Sequence, residues 1–149
     1  MATNCMITRR PLKDFSKAIE LYPSYMVAIA NRGVTYENLG KRQEAIADLQ
    51  RALAINPDSP NPDFVLQIAN LRYLLNDFSG SIADFNRLLA MGKLYPRIYS
   101  KRAGSEAMLG QPEDALRDAD KALSMDPKDE EAYNSRGLAN RLLEGWTKL

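Results

Sequence analysis

Apolar residues recur at helical spacing along most of this chain, and glycine and proline mark the breaks between the runs. Residues 25–57 read as two amphipathic helices joined at Gly40. Small residues sit at Gly33, Ala45 and Ala52, with Tyr36 and Leu49 as large apolar partners. Gly40 stops the first of these helices and Pro57 the second. Upstream, residues 1–10 read as a tail and residues 11–22 as one helix, with Pro11 in its first turn and Phe15, Ala18 and Ile19 on its apolar face. Pro23 and Ser24 break the chain, and Ser24 is placed to cap the next helix. Beyond a turn-rich joint at 58–63, helices are expected near 64–75 and 79–91, with Gly92 as a C-terminal stop. Pro96 and Pro112 each look like the first residue of a helix, and Glu113 and Asp114 suit the positive N-terminal dipole. The last helix should start near Asp129 and end before Gly145. The sum is eight helices: three complete pairs, an unpaired second helix at the start and a capping helix at the end.

The pairs repeat one another. Gly33, Ala69, Ala103 and Gly137 are the same small position, at intervals of 36, 34 and 34 residues. The second helices share a segment: Lys17 to Pro23, Arg51 to Pro57 and Lys121 to Pro127, with a weaker copy at Arg87 to Lys93. The triplets Asn31-Arg32-Gly33, Lys101-Arg102-Ala103 and Ser135-Arg136-Gly137 also correspond. At these residues, over roughly positions 11–144, the chain resembles the tetratricopeptide repeat family. The resemblance implies an all-α fold, a right-handed superhelix of stacked antiparallel helix pairs, in one domain. The repeats would be 24–57, 60–93 and 95–127, with an orphan second helix at 11–23 and a capping helix at 129–144. Two departures stand out. Arg32, Arg102 and Arg136 occupy the family's leucine position, where only Ile68 is apolar. The family's tyrosine survives as Tyr36 and is replaced by Arg72, Glu106 and Asn140.

The composition fits a folded chain: 45% hydrophobic and 26% charged residues. The formal net charge of +1 argues against a general nucleic-acid or anionic-membrane surface. No apolar run approaches the ~20 residues of a membrane span, and the N-terminus lacks the apolar core of a secretory signal. Cys5 is the only cysteine, so an internal disulfide is impossible and a cytoplasmic location is the expectation.

Catalytic chemistry finds little to work with. The chain has no histidine, the commonest general base and metal ligand, and no phosphate-binding glycine loop. Cys5 has no histidine to activate it. The acidic pairs Asp118/Asp120, Glu113/Asp114 and Glu130/Glu131 read as solvated faces or helix N-termini. No enzyme activity, cofactor, metal or small-molecule substrate is expected.

The resemblance does imply a binding surface. In the family the first helices line a concave wall that takes peptides or partner proteins. Here those positions include Asn31, Val34 and Asn38, then Gln67, Asn70 and Leu74, then Arg97, Lys101 and Met108, and finally Asn134, Leu138 and Arg141. The amides can both donate to and accept from a peptide backbone. Some family members clamp the terminal carboxylates of chaperone tails. In that register Arg97 and Lys101 match the basic pair, but Gln67 stands where Asn belongs, and Ala30 and Val34 where Lys and Asn belong. The clamp is incomplete, which favours some other acidic or C-terminal peptide. A non-catalytic interaction scaffold is therefore the leading reading. The alternative is a self-assembling module, in which the unpartnered first helix leaves an open end for a second copy.

Overall fold

The computed structural model describes residues 2–148, with side chains from Arg9 onward except that of Trp146. Among the described residues every regular element is a helix: α1 (Ala2–Leu21), α2 (Met26–Asn38), α3 (Arg42–Ile55), α4 (Pro62–Leu74), α5 (Phe78–Ala90), α6 (Ile98–Met108), α7 (Pro112–Met125) and α8 (Glu130–Thr147). The molecule divides between Leu71 and Arg72, inside α4, into two compact units.

The turns within helix pairs share one chemistry. At α2/α3 the Gly40 N–H donates to the Glu37 carbonyl at 2.8 Å and the Lys41 N–H to that of Tyr36 at 2.9 Å. At α6/α7 Gly110 and Gln111 repeat this on Ala107 and Glu106, at 3.1 and 2.9 Å. At α4/α5 Asn76 and Asp77 do the same on Tyr73 and Arg72, at 3.1 and 2.9 Å. This double bond reaches back over the last turn and requires a left-handed residue, which glycine or asparagine supplies with least strain. The φ values are 73° at Gly40, 61° at Asn76 and 73° at Gly110.

Four boundaries differ from expectation. α1 begins at Ala2, so Pro11 lies inside it and residues 2–10 are helix, not a tail. A proline there forfeits one backbone bond, and the preceding residues contain no glycine or other proline to stop the helix. The cap of α2 is Tyr25, not Ser24. Its N–H closes a turn onto the Tyr22 carbonyl at 3.0 Å, which uses Pro23 and Ser24 as the turn's centre. Likewise Pro96 does not open α6. It sits before Arg97 in a turn closed from the Ile98 N–H to the Tyr95 carbonyl, and Arg97 takes a left-handed φ of 63°. That turn drives Ile98 into the core. Finally α8 runs through Gly145 to Thr147; one glycine costs about 1 kcal/mol in a helix and does not by itself end it.

The first unit packs Ile19 of α1, Ala28, Ile29 and Ala30 of α2 and Ala52 of α3 into one core, flanked by Phe15 and Phe64. In the second, Ala107, Ala115 and Ala139 pack together with Leu116 and Leu138. Small side chains let these helices approach closely. At Gly33 an added Cβ would lie 3.3 Å from the Leu49 side chain, 3.4 Å from the Ala45 carbonyl oxygen and 3.4 Å from the Asp48 side chain.

The arginines that replace the family's leucine form a ladder with a spacing of sixteen residues. Arg32 grips Asp48 with Nε and Nη2, both at 2.7 Å, and sends Nη1 back to Ser16 at 3.2 Å. Arg102 grips Asp118 with the same two nitrogens and sends Nη1 back to Asn86 at 2.7 Å. Asp48 and Asp118 are buried, which makes these bidentate pairs obligatory partners. In the pair between them position 68 is isoleucine, and the corresponding carboxylate, Asp84, is met from one turn later by Arg72 at 2.6 Å. The departure Arg72-for-Tyr is thus the relocation of the same arginine.

Glu106, the second departure in the second unit, is buried, and its Oε2 has no hydrogen-bond partner among the described residues. Burial, helped by the nearby Asp118 carboxylate, pushes its carboxyl up to about 7, although Arg102 pulls the other way. The folded chain therefore keeps a proton that the unfolded chain releases. Stability from this group is full below the ordinary glutamate value and is lost as pH rises through about 7. Glu106→Gln should match the wild type in urea unfolding at pH 4 and exceed it by about 2 kcal/mol at pH 8. Equal stability at both pH values would contradict this placement of Glu106.

Candidate peptide-binding face

In the first unit α2 exposes a stripe at Asn31, Val34 and Asn38, one side chain per turn. Ala30, which the same register places on this face, is buried against the core instead. Gln67 and Asn70 of α4 are half-buried, and their side-chain oxygens Oε1 and Oδ1 are buried with no donor among the described residues. An unmet acceptor of this kind costs roughly 1–3 kcal/mol.

In the second unit Leu74 and Met108 project into solvent, 56% and 57% exposed. Lys101 is half-buried; its Nζ lies 3.9 Å from Glu131 Oε2 and 5.2 Å from the centre of the Tyr73 ring. Burial raises the Tyr73 phenol above its usual range, and the Glu131 carboxylate adds to this. Arg97 is exposed and donates from Nη2 to Glu130 Oε1 at 2.9 Å. Its pairing with Glu130, hydrogen-bonded first, keeps Arg97 protonated, while Glu130's own backbone N–H and then Arg97 hold that carboxyl below the usual range. Both basic residues singled out in the sequence therefore already face a carboxylate from the first turn of α8. The side chain of Asp129 caps that turn, accepting from the N–H groups of Glu131 at 3.0 Å and Ala132 at 3.1 Å.

Asn134 and Arg141 are exposed and, with Tyr133, Gly137 and Leu138, line an open cavity of about 470 Å³ on α8. Leu138 is half-buried and also packs on the alanine core, so it serves the fold as well as the surface. Ser100 and Ser135, at register positions on the same wall, are buried and turn their hydroxyls to the Arg97 and Glu131 carbonyls.

Sequence reasoning missed Tyr73 and the pairing of Arg97 with Glu130. The available signal was a basic residue followed about one repeat later by an acidic pair. The side chain of Cys5 lies outside the described residues. Among the described residues no cluster of three or more His, Cys, Asp or Glu is arranged to hold a metal ion, and no helix is long and apolar enough to cross a membrane.

Two models of the tetratricopeptide repeat match the chain, over residues 27–59 and 66–130. Among curated proteins, RNA polymerase II-associated protein 3 of the mouse is 27% identical over 117 residues, covering 78% of this chain and 17% of that protein. The chain thus spans less than a fifth of that relative's length. Among solved structures, the first tetratricopeptide domain of Spaghetti (RPAP3), bound to an HSP90 peptide SRMEEVD, superposes with a TM-score of 0.68 at 25% identity, over 80% of this chain and 93% of that one. YrrB superposes with a TM-score of 0.81 at 19% identity, over 95% of this chain and 72% of that one, a likeness that carries the fold alone. The all-α array of antiparallel helix pairs expected from the repeats is the fold of these proteins.

Proposed function

From the premise that this chain belongs to the tetratricopeptide repeat family, we propose that it is a non-catalytic scaffold that binds a peptide or partner protein on the faces of its first helices. The observation that carries the reading is the pair of buried acceptors on α4, Gln67 Oε1 and Asn70 Oδ1, which have no donor among the described residues. An extended peptide backbone offers N–H groups at the spacing of successive residues. The exposed stripe Asn31, Val34 and Asn38 supplies further amides around an apolar centre.

The same geometry favours backbone recognition over a grip on a terminal carboxylate. Arg97 and Lys101 already face Glu130 and Glu131, so an acidic tail would compete with two carboxylates for these bases. The peptide SRMEEVD, which the Spaghetti domain binds, is a direct probe. Its free acid and its C-terminal amide should bind this chain with affinities within about threefold of each other. Gln67→Leu with Asn70→Leu should weaken both by about tenfold. A tenfold preference for the acid, lost in Lys101→Ala, would replace this reading with a carboxylate clamp. No binding of either form at ~1 mM, the weak limit of specific recognition, would count against a peptide face.

A further inference from the structure

A cavity of about 320 Å³ in the second unit lies between the turn that precedes α6, the end of α7 and the start of α8. Its walls are mostly apolar: Leu94, Tyr95 and Ile98 from the turn and α6, and Met125 from α7. Leu94 and Met125 are exposed. Asp126 and Asp129 line it as well. The first unit has a cavity in the same register, where Met26, Ala52, Asn56 and Ser59 stand for Pro96, Ala122, Asp126 and Asp129. The fold therefore requires a gap at this junction but not carboxylates in it.

Nor does the local backbone require them. Asp126 Oδ1 accepts from the Lys128 N–H at 3.0 Å, a turn that asparagine forms equally well. Asp129 Oδ1 caps α8, which serine or asparagine does as well. The second oxygen of each, Oδ2, has no hydrogen bond among the described residues. Asp129 is only 2% exposed, a setting in which a carboxylate calls for a cation. Arg97, the one cation among the lining residues, gives Nη2 to Glu130 and reaches Asp129 only through its longer-range field. Lys93 and Lys128 do not line the cavity.

An apolar occupant would strip water from two charges and return nothing. A basic side chain brings an alkyl stem for the walls and a charge for the carboxylates. The fork of an arginine is matched to both oxygens of one carboxylate, whereas each carboxylate here offers one. A lysine ammonium has three donors and can meet two such oxygens. We propose that this cavity receives a lysine side chain of a partner protein, its stem against Leu94, Tyr95 and Met125 and its ammonium at Asp126 and Asp129. The site borders the candidate peptide face only at Arg97, and neither Gln67 nor Asn70 takes part in it.

Amide NMR of the full chain tests this, with the blocked tripeptide Leu-Lys-Leu as the probe and its norleucine and arginine analogues as controls. The lysine peptide should give saturable shifts at Leu94, Met125, Asp126 and Asp129. It should bind at least about threefold more tightly than either analogue, an advantage that shrinks as salt is added. Asp126→Asn with Asp129→Asn keeps the turn and the cap, so this variant should retain its helical circular dichroism and lose the advantage. Equal affinity for the norleucine peptide, an arginine peptide that binds as tightly, an advantage undiminished in the double variant, or no saturable shift at these residues at ~10 mM would each overturn the proposal. Shifts confined to Asn31, Gln67 and Asn70 would remove this site and leave the peptide face standing.

Discussion

Arg102→Leu, which installs the family's own residue, should destabilise the second unit by about 3 kcal/mol, the cost of breaking a buried pair. Asp118 would lose a bidentate partner while 4% exposed, and Glu106 would lose the guanidinium 3.8 Å from it while 7% exposed. The expected readout is a fall of roughly 6–12 °C in the thermal midpoint. Adding Asp118→Ala and Glu106→Tyr to the same chain removes both stranded carboxylates and should restore most of the loss, because an apolar replacement of a whole buried cluster is often neutral or stabilising. Arg136→Leu should change stability by less than about 1 kcal/mol, since it gives up only an exposed ion pair to Asp120 and a contact with the exposed Tyr133 ring.

The second large effect is steric. Gly33→Leu should cost about 1–3 kcal/mol in chemical unfolding, because three atoms of α3 already lie 3.3–3.4 Å from where its Cβ would stand. The neighbours are a buried leucine, a backbone carbonyl and the stem of Asp48, whose carboxylate Arg32 holds. Gly137→Leu occupies the same register with no atom within 4 Å, and should instead stabilise the helix by up to about 1 kcal/mol. Equal losses at the two sites would mean that they do not share the register assigned to them.

Much of this architecture was legible from the chain alone. The helices and their pairing follow from small residues at a near-constant interval and from the stops at Gly40 and Gly92, both of which adopt positive φ. The ion-pair ladder was not legible in the same way. Arg32 and Arg102 look like departures from the family pattern until a second helix brings Asp48 and Asp118 back alongside them. Residues sixteen apart become neighbours only across a helix–turn–helix, and no local periodicity reveals it. Pro11 and Pro96 misled for a related reason. Each is compatible with a first helical turn, but α1 runs through Pro11, and the left-handed Arg97 spends Pro96 on a turn. On the candidate face, the exposure of Asn31, Val34, Asn38, Leu74 and Met108 follows from helical spacing. The neutralisation of Arg97 and Lys101 does not, because their partners stand a full repeat further along.

The proposed peptide face rests on the alignment of each first helix with the second helix that follows it. A double-mutant cycle on Arg32 and Asp48 measures that alignment directly. Urea unfolding of Arg32→Ala, Asp48→Ala and the double variant should give a coupling energy of about 2 kcal/mol, as expected for a half-buried guanidinium paired bidentately with a buried carboxylate. Single-variant losses that add to within about 0.5 kcal/mol would mean that the two helices are not paired in this register.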